Sequence, residues 1–542
     1  MQRLLSDFLN KDLIQSLGLL ERRGDTEGFL DPLISGLSYD SRKIEKGFAY
    51  FALKGLHTDG HSYIGKALER GAVLIIHQDP LPDYRKGIVY LQVQDSRKAM
   101  SPLAAAFWNF PSQDLAIIGV TGTEGKSTTV FLVYQLLDLL GKKTGFISTV
   151  QFRTGAKVEW NPEHQTTPEA TSIHASLAAM RDSLMEYAVI ESSSHGLSPQ
   201  TSRLANVHFD VGIMTNVTHE HLEFHGTWEQ YREDKANLFR ALDANSHEKG
   251  IFSATPGSDG QRGTVRIPSF GVLNADDPSA AFFAAATERR SYTFSVRGSD
   301  ADLSMKSIQG KALGNTYEVL VRSTEETLLI QDYLPGTFNA GNVLAALLTV
   351  SGLLDIPIAN LVPLVAQLQP VRGRMSLIDA GQDFEVLVDY AHTPSSFQTV
   401  LPSIKKRLED RDRKLISVFG SGGERDREKR PLQGRIAADW SDIVILTDED
   451  PRGEEPMELL EEIAAGCPER IRNQDLFLIP DRPSAIRKAY ELAGEGDAVI
   501  LLGKGHENSI IYKDKTITYD EIEEAYKALY EIGFHDRKEV EL

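Results

Sequence analysis

The chain has 542 residues, of which 41% are hydrophobic and 25% charged, and its formal net charge is −19. That length exceeds what one hydrophobic core supports, so roughly two to four domains are expected. The acidic balance excludes a general nucleic-acid or anionic-membrane binder, but leaves room for a small anionic substrate held by a locally basic site.

The N-terminal stretch "MQRLLSDFLNKDLIQ" mixes charges into its apolar residues and lacks the apolar core of a signal peptide. No apolar run approaches the ~18 residues of a membrane span. The one cysteine, Cys467, excludes an intramolecular disulfide framework and suits a reducing compartment. A soluble, cytoplasmic protein without nucleic-acid or membrane partners is the expectation. Residues 1–112 hold short strands and helices, among them "YIGKALERGAVLIIHQ", which reads as helix, glycine stop and buried strand. The Pro/Ser/Gln/Asp break in "FWNFPSQDLAIIGV" marks a boundary, and a buried strand, Leu115 to Val120, opens a second domain over 113–369. Strand and helix then alternate, which predicts a mostly parallel sheet covered on both faces.

The first strand runs into "TGTEGKST", residues 121–128, and then into a helix with apolar residues at helical spacing and Gly141 as a stop. The glycine spacing departs from the strict Walker pattern G-x-x-x-x-G-K-[ST], since Val120 stands where the first glycine belongs. The physical elements of a phosphate loop are nevertheless all present. Gly122 and Gly125 bare backbone N–H groups, a helix N-terminus follows, Lys126 can reach the β- and γ-phosphates, and the Ser127 hydroxyl can join a Mg²⁺ shell.

Next come "AVIESSSHGLS", a buried strand ending in Glu191, and "MTNVTHEHLEFHG", a strand ending in a loop with His219, His221 and His225. Histidine clusters alone suit zinc, but the single cysteine and the phosphate loop favour magnesium. "TWEQYREDKANLFRAL" reads as a helix whose apolar face carries Trp228, Tyr231, Lys235, Leu238 and Phe239. A lysine within an apolar stripe must snorkel, be paired, or be chemically changed. The Gly/Ser/Pro-rich "NSHEKGIFSATPGSDGQRGTVRIPS" reads as a surface loop or hairpin.

A third domain, 370–542, begins near "LQPVRGRMS" and shows three buried strands, "LISVFG", "DIVILT" and "AVILLG", each entering a polar turn. Loops at the carboxyl ends of such strands form a ligand crevice. The turns "GSGGERDREKRP", "TDEDPRGEEP" and "GKGHE" bring Arg425, Glu449, Asp450, Arg452, Glu507 and the Gly503 backbone into one region. Arginine for a carboxylate and carboxylates for an ammonium suit a free amino acid.

The loop Gly-x-x-Gly-Thr-x-Gly-Lys-Ser resembles the ATP loop of the Mur ligases and folylpolyglutamate synthetases, except that Glu124 stands where that family usually has Asn. "IESSSHGLS", "TNVTHEHLEFHG" and "YREDKANLF" resemble successive central-domain segments of the tripeptide-forming branch of the Mur ligases. The resemblance implies a three-domain α/β architecture: an N-terminal uridine-binding domain, a central P-loop parallel sheet and a C-terminal Rossmann-like domain that binds the incoming amino acid. It implies an ATP-dependent, ADP-forming amide ligase that joins a free diamino acid to UDP-MurNAc-L-Ala-D-Glu through an acyl-phosphate. Meso-diaminopimelate is the favoured acceptor, with lysine or ornithine as alternatives.

Carried over residue by residue, Gly122, Thr123, Gly125, Lys126, Ser127 and Thr128 would hold ATP. So would Asn339 and Asn342 of "LPGTFNAGNVLAA", Arg374 of "VRGRM", and Asp389 and His392 of "VLVDYAHTPSS". Ser127, Glu191, His221 and Lys235, the last as a carbamate, would hold Mg²⁺, and Lys126, Lys235, His221 and Glu191 would be catalytic. Ser41, His57, Asp59, Thr166, Thr167, Ser194 and Arg203 would contact the UDP-sugar peptide, and the third domain's Arg452 would read the acceptor. In the family D-N-P-R accompanies diaminopimelate; here Glu449-Asp450-Pro451-Arg452 keeps the arginine and adds a negative charge. The central and C-terminal domains are expected to close over the reactants, and the enzyme to act as a monomer. Another Mur-like or folylpolyglutamate-type ligase, a P-loop NTPase without ligase activity and a non-catalytic nucleotide-binding scaffold are the alternatives.

Overall fold

The computed structural model describes residues 1–24, 30–55, 58–161, 163, 165–218, 222–252, 262–310, 314–409 and 412–537. The chain forms two compact units: Met1–Phe294 with Leu348–Ile356, and Ser295–Leu347 with Pro357–Leu542. No helix among the described residues is long and apolar enough to cross a membrane.

In the first unit a five-stranded sheet comprises Leu19–Arg23, Val89–Val93, Leu74–His77, Phe48–Phe51 and Gly36–Ser38, side by side in that order. All its neighbours are parallel except the first pair. The larger sheet of this unit is built on parallel strands ordered Thr144–Ile147, Tyr187–Glu191, Ala116–Thr121, Val211–Met214, Phe270–Asn274 and Ser291–Ser295. The strands Tyr187–Glu191, Ala116–Thr121 and Val211–Met214 are buried along their whole length, as a sheet covered on both faces requires. Their carboxyl ends deliver the loops after Thr121, Glu191 and Met214 to one edge. The stretch after the long helix is a hairpin, Glu248–Phe252 against Arg262–Arg266.

The two sides of the central strand are packed differently. Helix Lys126–Leu139 lies on strands Thr144–Ile147 and Tyr187–Glu191. Helix Trp228–Asp243, N-capped by the Thr227 hydroxyl on the Gln230 N–H (3.1 Å), meets the sheet along a row of glycines. Gly119, Gly212 and Gly271 stand in register on three adjacent strands. A Cβ on Gly119 would lie 2.4 Å from Leu238 Cδ1, one on Gly212 3.3 Å from Leu238 Cγ, and one on Gly271 2.9 Å from Phe239 Cε1. The missing side chains form a trough that seats Leu238 and Phe239, both fully buried. This close approach fixes where the rest of the helix points, Lys235 included.

The second unit holds an antiparallel meander, Leu303–Gly310, Asn315–Val321 and Glu326–Asp332. Its six-stranded sheet is ordered Ser376–Ile378, Glu385–Asp389, Ala498–Leu502, Leu415–Phe419, Ile443–Leu446 and Leu476–Leu478, parallel except for the first pair. The sequence reading found only three of these strands. The others are short, and Glu385–Asp389 ends in a segment read for its ligand chemistry. Cys467 is buried, its thiol pushed up to about 11 by burial, and donates to Gly434 O (3.2 Å).

Gly119→Val is expected to destabilise the protein by about 1–3 kcal/mol through overpacking against Leu238 and Phe209. A thermal melt with unchanged midpoint would show that the helix does not depend on the trough.

Candidate active site

The phosphate loop leaves its strand at Thr121 and ends at Gly125, which N-caps helix Lys126–Leu139 in the left-handed region (φ 82°). Gly122 is required for space: a Cβ there would meet Thr215 Oγ1 at 1.9 Å. The next strand's loop holds the phosphate loop through the main chain. Thr123 N donates to Asn216 O and Glu124 N to Asn216 Oδ1, both at 2.8 Å, while Glu124 O accepts from the Thr215 hydroxyl at 2.6 Å. These bonds hold position 124 through its main chain, which glutamate and asparagine share.

A cavity of about 250 Å³ opens beside this loop, lined among others by Lys126, Thr166, Thr167, Ser194, Arg203 and Lys235. It unites candidates assigned from separate segments to ATP, metal and donor peptide. Lys126 Nζ donates to Thr123 O (2.8 Å), folded back over its own loop. Arg203 is held by Thr167 O (2.7 Å) and Glu169 Oε1 (2.9 Å); Arg97 reaches the same Glu169 oxygen at 3.0 Å. Arg97 and Glu169 thereby tie the end of the N-terminal sheet domain to the Thr166–Thr167 turn.

Glu191 is buried at the end of its strand. Its Oε1 accepts from the Ser127 hydroxyl (3.0 Å) and its Oε2 from Thr149 N (2.8 Å). A hydroxyl and a carboxylate paired at a phosphate-loop helix form a hard oxygen donor set that fits Mg²⁺. Lys235 is only 1% exposed and does not snorkel. Its Nζ donates to Gly122 O (2.5 Å) and lies 4.4 Å from the Tyr231 ring centroid. An ammonium is no metal ligand, so Lys235 fits that role only as a carbamate. His221 and His219 lie outside the described residues, as does His57.

Ser41 and Asp59 follow the neighbouring parallel strands Gly36–Ser38 and Phe48–Phe51. Asp59 caps its turn, accepting from His61 N (2.9 Å) and facing His61 Nδ1 (2.7 Å). Among the described residues, Asp59, His61 and Asp79 are the one cluster with metal-ligand spacing. Its groups are already engaged, since His61 Nε2 accepts from Gln78 and Asp79 N–H and Asp79 pairs with Lys54.

In the second unit, Asn342 Nδ2 donates to Asn339 Oδ1 (2.9 Å), and the Arg374 guanidinium lies 4.7 Å over the Tyr390 ring. Burial raises the Asp389 carboxyl, and this is countered by Arg374 and by the N–H groups of Ala391 (2.7 Å) and Met375 (2.8 Å). The ring of His392 packs 4.6 Å from Tyr390, and Tyr390 donates to Glu507 Oε1 (3.2 Å). Tyr390, which the sequence reading passed over, therefore joins the Arg374 segment to the "GKGHE" loop.

That loop also holds Lys504, fully buried between Asp450 Oδ1 (2.9 Å) and Glu507 Oε2 (2.6 Å). Burial works to lower the Lys504 pKa; attraction to Glu507 and Asp450 overcomes it, and the net shift is upward. The extra negative charge at Asp450 is thus already balanced inside the protein. Two groups on the loop after Ile443–Leu446 remain buried without hydrogen-bond partners among the described residues: Glu449 Oε2 and Arg452 Nε. The Glu449 oxygen lies 2.7 Å from where a Cβ on Gly503 would stand. Arg425 is exposed.

The description "Mur ligase family, catalytic domain" matches residues 33–108, "Mur ligase middle domain" matches 120–256 and 263–350, and "Mur ligase, glutamate ligase domain" matches 373–505. The chain is 52% identical to the UDP-N-acetylmuramyl-tripeptide synthetase of Treponema denticola, over 92% of this chain and 94% of the relative. It is 35% identical to the UDP-N-acetylmuramoyl-L-alanyl-D-glutamate–2,6-diaminopimelate ligase of Geobacillus kaustophilus, over 93% and 96%. A solved ligase structure of that same title superposes with a TM-score of 0.58 at 27% identity, covering 92% of this chain and 95% of the other.

Lys126→Ala is expected to lower ATP-dependent turnover by about 10²-fold or more, because it removes the one lysine charge of the phosphate loop, the group expected to meet a transferring phosphoryl. Unchanged turnover would remove the phosphate-loop assignment. By sequence and by architecture the chain belongs to the Mur ligase family, whose members are ATP-dependent amide-forming ligases of three-domain α/β fold.

Proposed function

We propose that this protein adds a diamino acid to UDP-MurNAc-L-Ala-D-Glu, forming the UDP-MurNAc-tripeptide of peptidoglycan precursor synthesis. The observation that carries the reading is the single cavity lined by Lys126, the Thr166–Thr167 turn, Ser194, Arg203 and Lys235. It puts a phosphate-loop lysine beside groups suited to a carboxylate-bearing donor. The 52% identity to a tripeptide synthetase over nearly the whole chain supports the same step.

In this reading the γ-carboxylate of D-Glu attacks the γ-phosphorus of ATP, releasing ADP and leaving an acyl-phosphate. Lys126 and the N–H groups of residues 122–128 neutralise charge on the transferring phosphoryl group. The acceptor's amine attacks the acyl carbon, the tetrahedral intermediate expels phosphate, and the nitrogen loses its proton to give the amide. Ser127, Glu191 and carbamylated Lys235 would hold Mg²⁺, with His221 as a further ligand; when bound, the ion supplies charge neutralisation at the phosphates.

The acceptor contacts fall to the second unit, where Glu449 offers an unpaired acceptor and Arg452 an unpaired donor. These suit the ammonium and carboxylate ends of an amino acid. Diaminopimelate is the favoured acceptor, because Arg452 fits a distal carboxylate and Lys504 already balances Asp450. The enzyme acts in the cytoplasm as a monomer.

Phosphate release from ATP with UDP-MurNAc-L-Ala-D-Glu should depend on one of diaminopimelate, lysine or ornithine, with the matching tripeptide seen by mass. Release indifferent to every amino acid would refute the ligase reading. Lys235→Ala should abolish turnover, and short-chain carboxylic acids should restore part of it by replacing the carbamate. Wild-type-like activity without additives would rule out that role.

A further inference from the structure

Next to Ser194 lies a hydrogen-bonded array that the ligase chemistry above does not use. His225 Nε2 lies 3.0 Å from Ser194 Oγ, and His225 Nδ1 lies 2.8 Å from Asp234 Oδ2. The other Asp234 oxygen accepts from Gln230 Nε2 at 2.9 Å. Ser194 and Asp234 are each 2% exposed and His225 6%. The imidazole is walled in by the rings of Tyr231, Phe224 and His195, with centroids 4.7–5.2 Å away. All three side chains are buried, and the imidazole is engaged at both ring nitrogens.

The direction of the hydrogen bonds follows from the chemistry of the ends. A carboxylate only accepts, so the Asp234 contact puts the proton on Nδ1 of His225. In the neutral imidazole Nε2 then accepts, and the Ser194 O–H donates to it. The oxygen of Ser194, which lines the cavity, is then left with lone pairs and no proton to offer. Lys126 and Arg203 line the same cavity and can only donate. A donor that carries both carboxylate and peptide groups needs both kinds of partner.

We propose that Asp234 and His225 are positioning residues that hold Ser194 as a hydrogen-bond acceptor for a peptide N–H of the donor substrate. The array has the connectivity of a nucleophile, a base and its orienting acid. Ser194 is nevertheless absent from the residues with left-handed backbone, and the acyl group is already activated as a phosphate, so no serine ester is needed. The inference rests on the ligase reading, because it takes the donor to be a peptide.

The test is steady-state kinetics on the full-length enzyme, varying UDP-MurNAc-L-Ala-D-Glu at saturating ATP, Mg²⁺ and acceptor. Ser194→Ala and Asp234→Ala should each raise the KM for this donor up to about tenfold, as loss of one neutral hydrogen bond allows, and should leave the KM for ATP in place. Asp234→Asn, which keeps an acceptor oxygen, should recover most of the loss. In the Ser194→Ala background Asp234→Ala should add nothing further, since it acts only through the hydroxyl. Additive effects, or an unchanged donor KM in Ser194→Ala, would overturn the proposal. If Asp234→Ala gives no cooperative melt, His225→Asn provides the same arm of the cycle. Wild-type enzyme without donor-dependent phosphate release would defeat the ligase reading itself; turnover with an unaltered Ser194→Ala KM would defeat this inference alone.

Discussion

The close approach of one helix to one sheet is the constraint on which the first unit's site depends. Three glycines in register leave a trough across adjacent strands, and Leu238 and Phe239 occupy it. A β-carbon at the middle of such a contact would push the helix outward by a sizeable fraction of an ångström. Lys235, one turn earlier, would then lose its contact with the Gly122 carbonyl, which lies in the phosphate loop three residues beyond Gly119. The same helix carries Tyr231, whose hydroxyl meets Thr123 Oγ1 at 3.1 Å, and Asp234, which holds His225. Phosphate loop, buried lysine and Ser194 are thus all referenced to a single packing surface.

Charge is handled locally and not through the net balance. An acidic chain of −19 still lines the cavity beside its phosphate loop with Lys126 and Arg203. In the second unit the acidic "TDEDPR" loop is partly neutralised by Lys504 before any ligand arrives. Breaking such a buried pair leaves an uncompensated charge, which costs far more than the pair contributes when whole. The ionic groups left over, Glu449 and Arg452, are the ones with chemistry to offer a zwitterion.

Much of this was legible in the sequence, and the rest was hidden for identifiable reasons. "TGTEGKST" could be placed between strand and helix because glycines, a lysine and the flanking periodicities are all local signals. The same holds for the helix that follows Thr227 and for the hairpin around residue 250. The apolar stripe of helix Trp228–Asp243 singled out Lys235, but its partner is a backbone carbonyl 113 residues away, which no side-chain pattern announces. Gly119, Gly212 and Gly271 read as ordinary strand glycines until sheet order puts them side by side. Asp234, Tyr390 and Lys504 were passed over because each sits next to a more conspicuous residue and matters through a neighbour distant in sequence. The lone polar signal that could have found Lys504 was its place between two glycines at a strand end.

Tyr390 has a consequence of a different kind. One face of its ring carries Arg374 and its hydroxyl holds Glu507, so two loops of the second unit share one side chain. Whatever occupies the Glu507 loop and draws that carboxylate aside alters how the Arg374 segment is held. Reciprocity then requires that a ligand on the Arg374 segment change affinity at the Glu507 loop by the same factor. In such an arrangement the affinities at the two loops are tied together through a single phenol.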